Sequence, residues 1–200
     1  TTSPGFAMNE IQQNGGGGFD YLANGDIIKI NYDFMNPATI QIIDANGDND
    51  PAAPETIYTL PASTYGSFIK VAPNGEFAIF GITGSGAPAR LDKIDLTQGS
   101  YPVTTVIELE GNFGLDFVDN GHVMVSANAG GWDQSQPNEV FHIDLSAPSA
   151  DAVVASFTGT PSGPIALNDA GDLYYVKSTW EYPAPANSHT LLKFNVTQIQ

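Results

Sequence analysis

Two sequence markers recurring at one shared period, with runs of β-branched residues after them, predict an all-β repeat fold for this chain of 200 residues. The first marker is a pair of apolar-alternating runs flanking a glycine turn. It is written four times, at Phe19 to Ile28, Ile69 to Ala78, Leu115 to Met124 and Ile165 to Tyr174. Its turn glycines, Gly25, Gly75, Gly121 and Gly171, lie 50, 46 and 50 residues apart. The second marker follows each hairpin, as Ile42-Ile43-Asp44, Lys93-Ile94-Asp95, His142-Ile143-Asp144 and Lys193-Phe194-Asn195, at spacings of 51, 49 and 51. Two independent markers agree on one unit.

Each unit resolves into strands A to D. Alternation of apolar and polar residues on both sides of the glycine puts every second side chain on one sheet face, which makes A and B a hairpin. Asn-Gly at the turn supplies the positive φ angles of a two-residue hairpin loop. The Ile-Asp marker ends strand C. Strand D follows as Thr56 to Leu60, Val103 to Ile107 and Ala152 to Phe157, each β-branched and of strand length. Four strands in about 40–50 residues is the size of a β-propeller blade. The expectation is one β-propeller domain with four visible four-stranded blades, near residues 14–62, 63–111, 112–160 and 161–200. Blade four reaches strand C at Leu191 to Val196 and leaves no room for a full strand D. Either Phe6 to Ile11 closes a four-bladed ring as the missing strand, or the chain is part of a larger propeller.

Composition narrows the function classes. The 22 acidic and 6 basic residues leave a formal charge of −16, which argues against nucleic-acid phosphates and anionic membranes as partners. No apolar run is long enough for membrane insertion. Cysteine is absent, so neither a disulfide framework nor thiol chemistry is expected. The acidic balance suits a secreted, cell-surface or periplasmic protein.

The inner strands resemble those of a known group. Asn112 to Val125 and Gly163 to Val176 are similar to the blade consensus of NHL-repeat and SMP-30/gluconolactonase-like propellers. That resemblance implies the fold. It also implies, for the gluconolactonase-like enzymes, a divalent metal held in the central channel by Glu, Asn and Asp. Only Asn112 stands near such a ligand position here; Phe113 displaces the expected glycine, and no early-blade glutamate matches. A metal-dependent lactonase or hydrolase is therefore the alternative function.

A calcium loop is the first candidate site. Asp44, Asn46, Asp48, Asp50 and Glu55 place oxygens at positions 1, 3, 5, 7 and 12 of one segment, the spacing of an EF-hand-like loop. Asn49 stands where that loop needs glycine, and a plain polar hairpin loop capped by Asp44 is the competing account.

The second candidate is aromatic. Both tryptophans fall in the long B–C loops of units three and four, as Trp132-Asp133 and Trp180-Glu181-Tyr182. In a propeller these loops share one face with the D–A connections, beside the Gly-rich stretch Asn14 to Gly18. Aromatics next to carboxylates suit a sugar ring or a protein side chain. The expected function is a binding or structural module recognising a glycan or protein, with self-association a variant; the competing account has each tryptophan capping its own blade. Catalytic signals are thin. His122, His142 and His189 show no metal-ligand spacing, whereas Asp20, Lys70 and Asp116 fall where strand A lines a channel.

Overall fold

The computed structural model describes residues 16–33, 36–48, 53–131, 133, 135–158, 163–179 and 188–195. They form fifteen strands in four antiparallel sheets. Blade one is β1 (Gly16–Tyr21), β2 (Ile27–Asp33), β3 (Asn36–Ile43) and β4 (Glu55–Thr59). Blade two is β5 (Thr64–Val71), β6 (Phe77–Gly84), β7 (Arg90–Asp95) and β8 (Val103–Glu108). Blade three is β9 (Gly114–Phe117), β10 (His122–Asn128), β11 (Asn138–Asp144) and β12 (Val153–Phe157). Blade four is β13 (Ile165–Leu167), β14 (Asp172–Thr179) and β15 (Ser188–Asn195). Each sheet runs in chain order from inside out, so the architecture is the expected all-β propeller, with three described strands in the fourth sheet. Phe6 to Ile11, the segment that would close the ring, lies outside the described residues.

The blades are face-to-face stacks because both sides of each sheet find apolar cover, so that β6 and β10 are buried along nearly their whole length. In blade one, Ile28, Ile30, Ile40 and Ile42 point at blade two and meet Ile69, Ala78, Phe80, Ile82 and Ile94. The other face of blade two sends Phe68, Phe77, Ile79 and Leu91 onto Leu115, Val123, Val125 and Phe141 of blade three. Met124 and Val140 of blade three then meet Ile165, Leu173 and Tyr175 of blade four. The apolar mass therefore sits in the seams between sheets. Inner strand packs on inner strand in sequence, β1 on β5, β5 on β9 and β9 on β13, and among the described residues β13 makes no comparable packing on β1.

The hairpin turns correct the sequence expectation. Leu22 accepts from the Gly25 amide while Leu22 N donates to Asp26 O, and Gly25 has φ 95°, but Asn24 stays at negative φ. A mirror-image Asn-Gly turn needs both residues positive, so this is a β-turn followed by a single left-handed glycine, one step longer. Asn24 contributes through its side chain instead: its Oδ1 accepts from Asp26 N and its Nδ2 donates to Asp26 Oδ2. Asn74 and Glu76 repeat that pattern in blade two.

The Gly-rich stretch is also corrected. Gly16 to Gly18 belong to strand β1, with Gly16 opposite Asn31, and not to a loop. Gly18 has φ 118°, and a Cβ there would come within 3.1 Å of the Phe68 Cα, so glycine lets β1 lie close on β5.

Candidate functional site

The antiparallel order puts the A–B turns and C–D loops at one end of the blades and the B–C and D–A connections at the other. At the second end, the B–C loop of blade three, residues 129–137, stands on a polar base. Asn128, Asn138 and Ser126 are fully buried. Asn128 Oδ1 accepts from Gly130 N at 2.8 Å and its Nδ2 donates to Gln136 O at 3.1 Å, so one side chain ties both limbs of the loop. Asn138 Nδ2 donates to the Tyr175 hydroxyl at 2.7 Å, which anchors the same base to blade four. Three backbone bonds close successive turns: Gly131 N to Asn128 O, Asp133 N to Gly130 O and Gln136 N to Asp133 O.

Asp133 is exposed and bonds back onto its own loop. Its Oδ1 accepts from Ser135 N at 2.9 Å, and that bond, with one from the Ser135 side chain, holds its carboxyl below the usual carboxylate range. Its first duty is to shape the loop. Trp132, Trp180, Glu181 and Tyr182 lie outside the described residues.

At the opposite end, the calcium candidates divide. Asp44 and Asp48 come together with Asp26, carboxylate oxygens within 4.8 Å of one another. Asp26, from the A–B turn, is a partner the spacing argument missed, because it stands 18 residues before Asp44. All three already hold donors from the protein: Gly47 N on Asp44, Asn46 Nδ2 on Asp48, and Asn24 Nδ2 and Ala45 N on Asp26. Asn46 spends its oxygen on Asp48 N and its amide nitrogen on Asn24 O. Glu55 opens β4 opposite Ile42, and Asp50 lies outside the described residues. The Asp44 cap recurs in the later blades. Asp95 is capped by Thr97 and Gln98, and Asp144 by Ser146, and these bonds hold both carboxyls below their ordinary range. Beside the triad, a pocket of about 350 Å³ between blades one and two is lined by Leu22, Asn24, Asp26, Glu55, Leu96 and Tyr101.

The polar residues of the inner strands are staples. Asp20 Oδ2 accepts from Val71 N at 2.9 Å, and Asp116 Oδ2 from Leu167 N at 2.7 Å, each joining a blade to the next. Both bonds span 51 residues, one period. Lys70 occupies the same position in blade two. Asn112, the residue at the gluconolactonase-like ligand position, is fully buried, with Nδ2 donating to Leu109 O and Ile82 O and Oδ1 accepting from Ser67 Oγ. Its amide joins blades two and three.

The histidines hold one surprise. The register opposes Met124 to His142, and the His122 and His142 rings stack at 5.3 Å and 14°. His122 Nδ1 also lies 2.9 Å from Asp119 Oδ1. Pairing across strands brings them together, which linear spacing could not show.

No family model and no curated protein matches the chain. Solved structures do. The chain is similar to a puromycin hydrolase at 10% identity and TM-score 0.55, over 91% of this chain and 27% of that one. It is similar to TolB from Acinetobacter baumannii at 15% identity and TM-score 0.53, over 86% and 38%. It is similar to a chain of a mitotic checkpoint complex at 12% identity and TM-score 0.50, over 88% and 50%. The chain thus spans half or less of the length of these proteins, and identities this low speak to fold alone. Fold and blade stacking together define a β-propeller protein.

Proposed function

We propose that this propeller is a recognition module, secreted or at the cell surface, that takes a protein ligand on the B–C loop face of blades three and four. The observation that carries the reading is the buried Asn128–Asn138–Tyr175 base, which pre-shapes the loop containing Trp132 before any ligand arrives. A loop already held in shape loses less entropy on binding. An acidic chain of formal charge −16 favours a basic partner surface, and tryptophan anchors are common at such contacts. One of the similar structures is itself a multiprotein complex by name, which supports protein partnering in general.

Both tryptophans of the sequence lie in the two loops, so tryptophan fluorescence is a reporter for these loops in the parent chain. The test titrates the chain with Lys/Arg-rich peptides and with neutral oligosaccharides. Peptide binding read by titration calorimetry, lost in Trp132→Ala and in Trp180→Ala without loss of melting temperature, supports the reading. A response to oligosaccharides only would make the face a glycan site. A double variant that melts early and binds every probe like the parent would make the tryptophans blade caps.

Calcium at the opposite end is a second proposal, favoured by the convergence of Asp26 with Asp44 and Asp48. A cation there would relieve repulsion among three carboxylates, and at a hundredfold excess over Kd it would stabilise the fold by about 2.7 kcal/mol. A melting temperature unchanged by both EDTA and added calcium would leave the polar hairpin loop alone.

A further inference from the structure

Near the A–B turn of each blade, strands B and C bring one residue each to a diagonal position on the same sheet face. In blade four these are Asp172 and Lys193, set by the pairing of Asp172 with Asn195 and of Tyr174 with Lys193. Lys193 Nζ lies 2.8 Å from Asp172 Oδ2. In blade two the same register gives Phe77 and Lys93, and Lys93 Nζ stands 4.0 Å from the Phe77 ring centre. Both blades thus hold a cation on the diagonal, an ammonium from strand C gripped by a strand B side chain. Blade one carries Ile42 at the strand C position. Blade three carries histidine at both, His122 and His142, with ring centres 5.3 Å apart and planes 14° from parallel. Two neutral imidazoles bring lone pairs to this position and no cation of their own.

The surroundings suit a metal ion. His122 Nδ1 lies 2.9 and 3.1 Å from the two Asp119 oxygens, and Asp119 is itself fixed by the Gly121 amide at 2.7 Å. A carboxylate that accepts from Nδ1–H leaves Nε2 with the free lone pair and fixes the ring, as in the support of metal-binding histidines. The His122 side chain is 38% exposed and His142 is half-buried, so a hydrated ion reaches both. Asp144 stands opposite His122, so carboxylates flank the pair on strand C and on the turn. Two imidazoles at neighbouring positions of one zinc ion, with bonds of about 2.0–2.1 Å, put their ring centres roughly 4.5–5.2 Å apart. The observed separation is close to that span, so turning the rings is the adjustment required and the strands stay in place.

We infer that His122 and His142 together bind one divalent transition-metal ion of the class that prefers imidazole, such as zinc, each through one ring nitrogen, with water filling the remaining positions. Asp119 is a positioning residue and not a ligand. The site belongs to blade three, apart from the B–C loop face and from the Asp26 cluster of blade one, whose oxygen-only set suits a harder cation.

The test is calorimetric titration of the chain with zinc chloride in chelator-free buffer. His122→Gln and His142→Gln should each weaken binding by about tenfold or more, and Asp119→Asn by about 10–100-fold, the cost of losing the partner that orients a ligand. In Asp119→Asn the His122 ring should also lose its preference for the Nδ1–H tautomer, read from its ring-nitrogen NMR signals. His189→Gln and Asp26→Asn should bind zinc like the parent. In the parent chain, zinc should shift the ring-nitrogen signals of His122 and His142 together and leave those of His189 in place, which reads the site without any substitution. Zinc binding of equal strength in the parent and both histidine variants overturns the inference. So do His122 and His142 ring signals unmoved by millimolar zinc, or a shift confined to one of the two rings.

Discussion

Two seams of the molecule carry the same staple on very different foundations. Asp20 binds Val71 N between blades one and two, and Asp116 binds Leu167 N between blades three and four. Among the described residues, eleven buried apolar residues lie beneath the first and five beneath the second. The thinner seam adds a buried polar bond instead, Asn138 to the Tyr175 hydroxyl, with Tyr175 stacked on Phe157 at 4.8 Å. The difference teaches that a repeat preserves position before it preserves mechanism. Among the described residues, seam one/two buries the larger apolar cluster, and seam three/four adds a directional contact to a smaller one.

The comparison is broken most severely at its apolar end. Phe80, fully buried in the first seam, should cost about 3–5 kcal/mol on change to Ala, read from the urea midpoint. Should the loss be under about 1 kcal/mol, water exclusion is not what holds that seam. In the second seam, Tyr175→Phe removes the hydroxyl that accepts from Asn138 and leaves a buried donor, a loss of about 1–3 kcal/mol. Mild effects of Phe80→Ala beside severe effects of Tyr175→Phe would invert the contrast.

The staples sharpen it. Asp20→Ala and Asp116→Ala each remove a carboxylate acceptor of a backbone amide, about 1–2 kcal/mol apiece. Their consequences should differ in kind. Without Asp116, hydrogen exchange at Leu167 and its blade-four neighbours should accelerate well beyond any change at Val71 in Asp20→Ala, because the buried apolar cluster among the described residues is smaller in that seam. Equal acceleration would mean the foundations do not matter.

The smallest effect is acidic. Asp95 and Asp144 cap their C–D loops through Thr97 and Ser146, side-chain hydrogen bonds first, and their carboxyls titrate below the ordinary 3.8. A lowered folded value means the contribution is complete above the ordinary carboxylate range and is lost as pH falls through the lowered one. Asp95→Asn and Asp144→Asn should therefore lower stability at neutral pH, where the contribution is complete, and flatten its fall on the acid side below about pH 4. An unaltered acid limb would show that these caps do not couple to folding.

Much of this protein was legible without coordinates, and for a physical reason. Strand period, turn glycines and the Ile-Asp end of strand C are local patterns, so the positions of β3, β7, β11 and β15 could be read from Asp44, Asp95, Asp144 and Asn195 alone. Local pattern did not settle the turn geometry, because Asn24 works through its side-chain bonds to Asp26 and not through its own φ. It also misplaced the roles of polar residues whose partners lie a blade away. Asp20, Asp116 and Asn112 read as channel or ligand groups by position, and stacking turned them into seams, with acceptor and donor as much as 51 residues apart. Asp26 joins Asp44 and Asp48 only because the A–B turn and the C–D loop emerge at the same end of one sheet. The sequence by itself determined the strands and their repeat, since alternation is a property of neighbouring residues. Tertiary structure alone decided which positions were covered, and so left Phe19 exposed where Ile69, Leu115 and Ile165 are buried, because burial belongs to the blade that lies across and not to the strand.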